Sequence, residues 1–428
     1  MIELDSDLAA ATLLYLDPGT GSVLFSVVMG FATAAFFVLK GMYYRGRGRL
    51  LKLFGKQHGD GVEGHHSLVI YSEGAQYMNT FKPILDELVA RGLGCLYLSS
   101  DKDDPLLSYS APKVKTRHIG HSFGAWGYLN DLQADVCLMT TPGLDVLQLK
   151  RSKRVRHYAH LIHSPTDKAF NRPYSFDYFD SVFICGPHQE KTIRHLERIR
   201  NMPAKQLLMT GCAYYDYQVA TYHNEINKQN SAEAGSGLQL LVAPTWGKNG
   251  LLTRFGMQLL TPLLDAGHHV LLRPHPQSFI SEPELIAQIR RASAQYPNLI
   301  WDQNSSPLEA MQRSDLLISD ISGIVFDYCF VTEKPVITLH FEPEKRGFEA
   351  NDLPYQPWEL QVLDVVGVKL EPERIEQLPI IVRDLVGDVS RQEKIRALRQ
   401  TYVQHFGHAS LRVVDELAAL IANPVSVH

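Results

Sequence analysis

Three short polar segments, each set directly behind an apolar, β-branched run, constrain this chain more than any other feature. Ala243-Pro244-Thr245-Trp246 follows the run at 240–242, and Arg273-Pro274-His275-Pro276 follows the run at 270–272. Ser319-Asp320-Ile321-Ser322-Gly323-Ile324-Val325-Phe326-Asp327-Tyr328 follows the run at 316–318. A helical pattern comes after each. Strand, polar turn, helix, repeated, predicts a doubly wound parallel sheet. In such sheets ligands sit beyond the carboxyl ends of the strands, so the three segments are expected to converge on one cleft.

A chain of 428 residues is long for a single core, which predicts two domains with appendages. Residues 67–220 repeat the β–α alternation, with strands at 68–71, 94–98, 136–139, 155–162 and 182–185. Residues 221–237 hold little to bury and read as a surface linker between the halves. The second domain is then expected over 238–390, with C-terminal helices over 391–428. The net charge of −4 gives no electrostatic footprint for nucleic acid. Five scattered cysteines without a C-x-x-C pair read as buried thiols, neither disulfide framework nor zinc site.

Residues 1–56 read as a membrane anchor with a basic juxtamembrane segment. Residues 22–39 are uncharged and mostly apolar, near the lower length that spans a bilayer. Acidic Glu3, Asp5, Asp7 and Asp17 precede them; Lys40, Arg45, Arg47, Arg49, Lys52 and Lys56 follow. That asymmetry predicts a single span in the plasma (inner) membrane, with the body on the cytoplasmic side. Residues 57–66, rich in Gly and His, read as a linker.

The chemistry-bearing residues lie at the strand ends. Arg273 and His275 are two apart on a segment stiffened by two prolines, so a guanidinium and an imidazole share one face. That pair suits a phosphate or pyrophosphate. Ser322 and Gly323 open a helix whose free amides and dipole attract anions. Thr245 and Trp246 are placed to close over a base or a phosphate. In the first half, His163 ends the strand at 155–162 just before a Ser-Pro turn and is expected to project into the cleft. His160, on the strand's other face, reads as a core histidine.

Together A-P-T-W, R-P-H-P and S-D-I-S-G-I-V-F-D-Y, in this order, resemble the CDP-glycerol glycerophosphotransferase family of teichoic-acid-type polymer synthesis. Gly407-His408-Ala409-Ser410-Leu411-Arg412 resembles that family's C-terminal Gly-x-Ala-Ser-x-Arg stretch. The chain departs from the family where His163-Ser164-Pro165-Thr166 replaces His-Gly-Thr-Pro. It departs again where Gly211-Cys212-Ala213 replaces Gly-Tyr-Pro, and where Ser322-Gly323 replaces a Ser-Ser pair.

The resemblance implies a GT-B-like fold: two Rossmann-like domains facing a cleft, here preceded by the membrane helix. It implies His163 as general base, titrating near neutrality, and His275 on the donor pyrophosphate. Thr245, Trp246, Arg273, Ser319, Asp320, Ser322, Gly323 and Asp327 are then the donor-side residues. The implied reaction carries glycerol phosphate, or a similar polyol phosphate, from CDP-glycerol to a lipid-linked or polymeric acceptor and releases CMP. No cofactor is expected, and no D-x-D-like cluster stands at a strand end, so metal-independent chemistry is expected too. A nucleotide-sugar glycosyltransferase and a membrane-anchored scaffold without catalysis are the rival readings.

Overall fold

The computed structural model describes residues 64–226 and 237–423, except 305, 321 and 340–342, together with five helical positions between 29 and 39. Two wholly parallel sheets organise it. The first has seven strands in the order β3-β2-β1-β4-β5-β6-β7: β1 (His66–Ser72), β2 (Cys95–Ser99), β3 (Val114–His118), β4 (Ala134–Met139), β5 (Val155–Leu161), β6 (Ser181–Ile184) and β7 (Gln206–Met209). The second has six in the order β10-β9-β8-β11-β12-β13. These are β8 (Gln239–Val242), β9 (His269–Leu272), β10 (Leu299–Trp301), β11 (Leu316–Ser319), β12 (Val336–Leu339) and β13 (Gly367–Leu370). The central strands are buried along nearly their whole length, as parallel strands covered on both faces must be.

Each sheet reverses its strand order once, at β1/β4 in the first and at β8/β11 in the second. Register fixes what meets at the second reversal. Val242 pairs with Leu272 on one side and with Ile318 on the other. Ala243, Arg273 and Ser319 therefore leave the sheet at one level on three adjacent strands, which brings the three polar segments together as their spacing predicted.

Three apolar clusters build the interior. Two are each confined to one sheet and its helices. The other runs from one sheet to the other through Tyr215, Phe326, Phe330 and Trp358, so the halves are joined along part of their seam. Trp358 stacks on Phe326 at 5.2 Å and packs against His188 at 4.2 Å. The C-terminal helices straddle that seam. Val389–Tyr402 packs on the second half, and Ala409–Ala422 crosses back to lie against Met78–Ala90 and Ala213–Ile226 of the first. The crossing chain comes so close that a Cβ on Gly186 or Gly211 would sit 2.1 Å from the carbonyl oxygen of Tyr402 or Gln404. Asp216 accepts the amides of Ala409 and Ser410 and so caps the returning helix.

Some boundaries differ from expectation. The helix Ala213–Ile226 occupies the first part of the expected 221–237 linker, because its aromatic face packs against the second half; residues 227–236 lie outside the described residues. A division at residue 390 would cut the helix Val389–Tyr402. β1 begins at His66, inside the expected 57–66 linker. The 22–39 span falls almost wholly outside the described residues. Among those described, no helix is long and apolar enough to cross a membrane.

Candidate active site

Asp320 organises the second-half crevice from beneath. Its carboxylate oxygens accept the Thr245 amide, both at 3.0 Å, and Oδ2 also accepts the Leu251 amide at 3.3 Å. Burial raises its pKa to about 6, partly offset by those amides. Ser319 Oγ donates to the Ala243 carbonyl at 2.6 Å. Both side chains are fully buried, so the expected direct grip of Ser319 and Asp320 on a donor is not what the geometry offers. They hold the β8 and β11 loops instead.

Arg273 also differs from expectation. Its guanidinium donates to Asp302 at 2.6 Å and to the Asn304 carbonyl at 2.8 Å, which commits the fork to the neighbouring strand end. His275 stays exposed. Its Nδ1 accepts the Gln277 amide at 3.1 Å, so a neutral ring carries its proton on Nε2 and presents a donor. Partial burial lowers its pKa below the usual imidazole value. Trp246 is 46% exposed, its ring 6.5 Å from that of His275. Ser322 begins the helix Gly323–Thr332 without capping it through its side chain. Gly323 is exposed, and a Cβ there would meet nothing within 4 Å. The start of this helix thus opens onto free space.

Asp327, one turn along that helix, turns to the first half. It accepts the Tyr215 and Tyr214 hydroxyls at 3.1 and 3.3 Å. Burial raises its pKa to about 6; the two hydroxyls and the Lys168 cation pull the other way. The expected donor contact is replaced by a bond across the seam.

His163 lies two residues beyond β5. Its ring meets the edge of Tyr77 at 5.0 Å, and Tyr77 donates its hydroxyl to Glu73 at 3.2 Å. Among the described residues, His163 Nδ1 is buried without a hydrogen-bond partner. Burial, then the Lys168 cation, then His160 hold the pKa of His163 well below the ordinary imidazole value. The expectation of titration near neutrality does not hold for this cleft, because a desolvated ring beside an ammonium resists protonation. The ring is neutral, as a proton acceptor must be. His160 is a core residue, packed on Phe176 and Phe179, with its pKa lowered to about 3 by burial.

The loop carrying His163 is tied down on both sides. Gln189 Nε2 donates to the carbonyls of Ser164 and Thr166, and His188 Nε2 bonds to that of Pro165. Asp167 accepts the Trp358 amide at 2.8 Å, which fastens the loop to the other half. At its end stands Lys168, in the left-handed region with φ of 64°. The sequence reasoning missed this residue, although the same turn supplied His163.

A family model described as CDP-Glycerol:Poly(glycerophosphate) glycerophosphotransferase matches residues 125–358. Among solved structures, a variant of the wall teichoic acid polymerase TagF soaked with CDPG is similar at 16% identity and a TM-score of 0.53. That match covers 90% of this chain and 98% of the chain in that structure. A putative UDP-N-acetylglucosamine 2-epimerase from Listeria monocytogenes gives 12% identity and a TM-score of 0.57, over 82% of this chain and 96% of its own. UDP-GlcNAc 2-epimerase from Neisseria meningitidis gives 13% and 0.53, over 83% and 100%. At these identities the likeness is one of fold: GT-B-like, with parallel sheets. Comparison with curated proteins gives no match. The family model covers more than half of the sequence, and the chain belongs to the CDP-glycerol glycerophosphotransferase family.

Proposed function

We propose that this protein moves glycerol phosphate, or a similar polyol phosphate, from CDP-glycerol to a hydroxyl of a lipid-linked or polymeric acceptor. The acceptor oxygen forms a bond to the β-phosphorus as the bond to the bridging oxygen breaks. CMP leaves, and the acceptor proton passes to the imidazole of His163. His275 Nε2–H and the open amides at Gly323 serve the diphosphate, and Trp246 offers a face to the base. The transfer needs positioning and charge stabilisation more than covalent chemistry, so fixed donors and a helix dipole suffice. We place the body at the cytoplasmic face of the plasma membrane, anchored by residues 22–39.

One observation carries this reading. The uncapped, exposed start of the helix Gly323–Thr332 sits at the strand-order reversal where donors bind in such sheets. Calorimetry with CDP-glycerol, CDP-ribitol, UDP-sugars and GDP-sugars tests it. Preference for a CDP-polyol is expected; tighter binding of a nucleotide sugar would favour the glycosyltransferase alternative.

A further inference from the structure

The Lys168 cation acts on both the general-base candidate and the donor-side helix. Its Nζ donates to Ser164 Oγ at 2.6 Å. Among the described residues that is its one hydrogen bond, so an ammonium with three donors keeps two in reserve. Its charge acts on His163 and His160 on one side and on Asp327 of the helix Gly323–Thr332 on the other. Cys185, Glu359, Cys212 and Asp167 face it from the remaining elements.

Burial lowers the pKa of Lys168, and these four groups pull it back up and so favour the ammonium. Both carboxyls are buried. Asp167 is occupied by the Trp358 and Ala169 amides. Glu359, raised to about 8 by burial and by Asp167, keeps its proton at neutral pH. Cys212 is likewise held protonated by burial. An ammonium that is half-buried, pre-positioned by a tied loop and left with two unused donors is suited to an anion. The left-handed backbone at Lys168 is uncommon for a residue with a Cβ, and the loop ties on either side of it are what hold it there.

We propose that Lys168 is a further catalytic residue, whose ammonium binds the phosphoryl group in transfer and links its arrival to the readiness of His163. This rests on the transferase reading above. Before a phosphate binds, Lys168 helps keep His163 from accepting a proton. A phosphate dianion beside the ammonium cancels that repulsion and returns the imidazole toward the range in which a base works best. The base is then strengthened only when there is a phosphate to transfer.

The test uses the full-length protein with histidines labelled for NMR, His163 assigned by loss of its signal in His163→Gln, and glycerol 3-phosphate and inorganic phosphate as probes. In the wild type either probe should raise the pH at which His163 protonates; in Lys168→Gln it should not, and Lys168→Arg should restore part of the response. CMP release should fall about 10²–10³-fold in Lys168→Gln and about tenfold or less in Lys168→Arg, with thermal midpoints confirming folding. A phosphate response that persists in Lys168→Gln, or wild-type turnover in that variant, overturns the proposal while leaving the transferase reading intact. Should the wild type turn over no CDP-polyol yet show a Lys168-dependent phosphate response, the reaction assignment falls and the anion site stands.

Discussion

Both carboxylate oxygens of Asp320 accept the amide of Thr245 at 3.0 Å, and that bond joins the two strand ends that flank the reversal in the second sheet. The residue that looks most like a ligand in the S-D-I-S-G segment is thus the one that shapes the crevice. Gly323, a step further on, is left facing open space.

Replacing Asp320 with Ala leaves the Thr245 and Leu251 amides without their acceptor. The expected loss is about 2–4 kcal/mol of stability, with Asp320→Asn losing less because one oxygen remains. Urea denaturation of the three proteins measures this. Equal midpoints would show that the bond does not hold the loops.

Glu359 makes a pH-dependent prediction. Its carboxyl titrates at about 8 in the folded chain and at about 4.3 when unfolded. Between those values the folded protein holds a proton that the unfolded chain has released, so stability falls as pH rises and levels off above about 8. Glu359→Gln removes this slope. Its advantage over the wild type should grow from pH 5 to pH 8.5, by up to about 4 kcal/mol. Parallel curves of thermal midpoint against pH would contradict it.

His163→Ala should lower turnover by about two to four orders of magnitude with donor affinity retained. The profile of kcat/KM reports the free enzyme. Because His163 is held low there, its acid limb should fall at a lower pH than the ordinary imidazole value of about 6.5. An acid limb above that value would remove His163 as the titrating base.

Trp246 is exposed and anchors no core. Trp246→Ala should therefore leave the thermal midpoint unchanged. If the ring stacks on the donor's base, affinity drops by about 1–3 kcal/mol, roughly 5- to 150-fold in Kd. Calorimetry with CDP-glycerol distinguishes this from a bystander ring.

The three strand ends of the second half were legible in sequence because a buried parallel strand needs an apolar run and the turn behind it needs polar or conformationally special residues. The edge strands β3, β7, β10 and β13 were not, since each is only three to five residues long and partly exposed, and so carries little pattern. Position along the chain was enough to place His163, His275, Ser322 and Gly323 beside strand and helix ends, where the structure has them. It could not assign Arg273, which Asp302 claims, or Asp327, which the tyrosines of the opposite half claim. Those partners are 29 and 112 residues away in sequence. Lys168 stayed hidden for the same reason: the seam that gives its charge a role is built by residues from both halves.

The most direct test follows CDP-glycerol labelled in its glycerol, incubated with the full-length protein and a membrane fraction as acceptor source. The account predicts one CMP released for each labelled glycerol phosphate joined to acceptor. It also predicts at least a hundredfold less of both with His163→Ala, and no comparable transfer from UDP- or GDP-sugars. CMP release without incorporation, undiminished transfer by His163→Ala, or preferential use of a nucleotide sugar would contradict it.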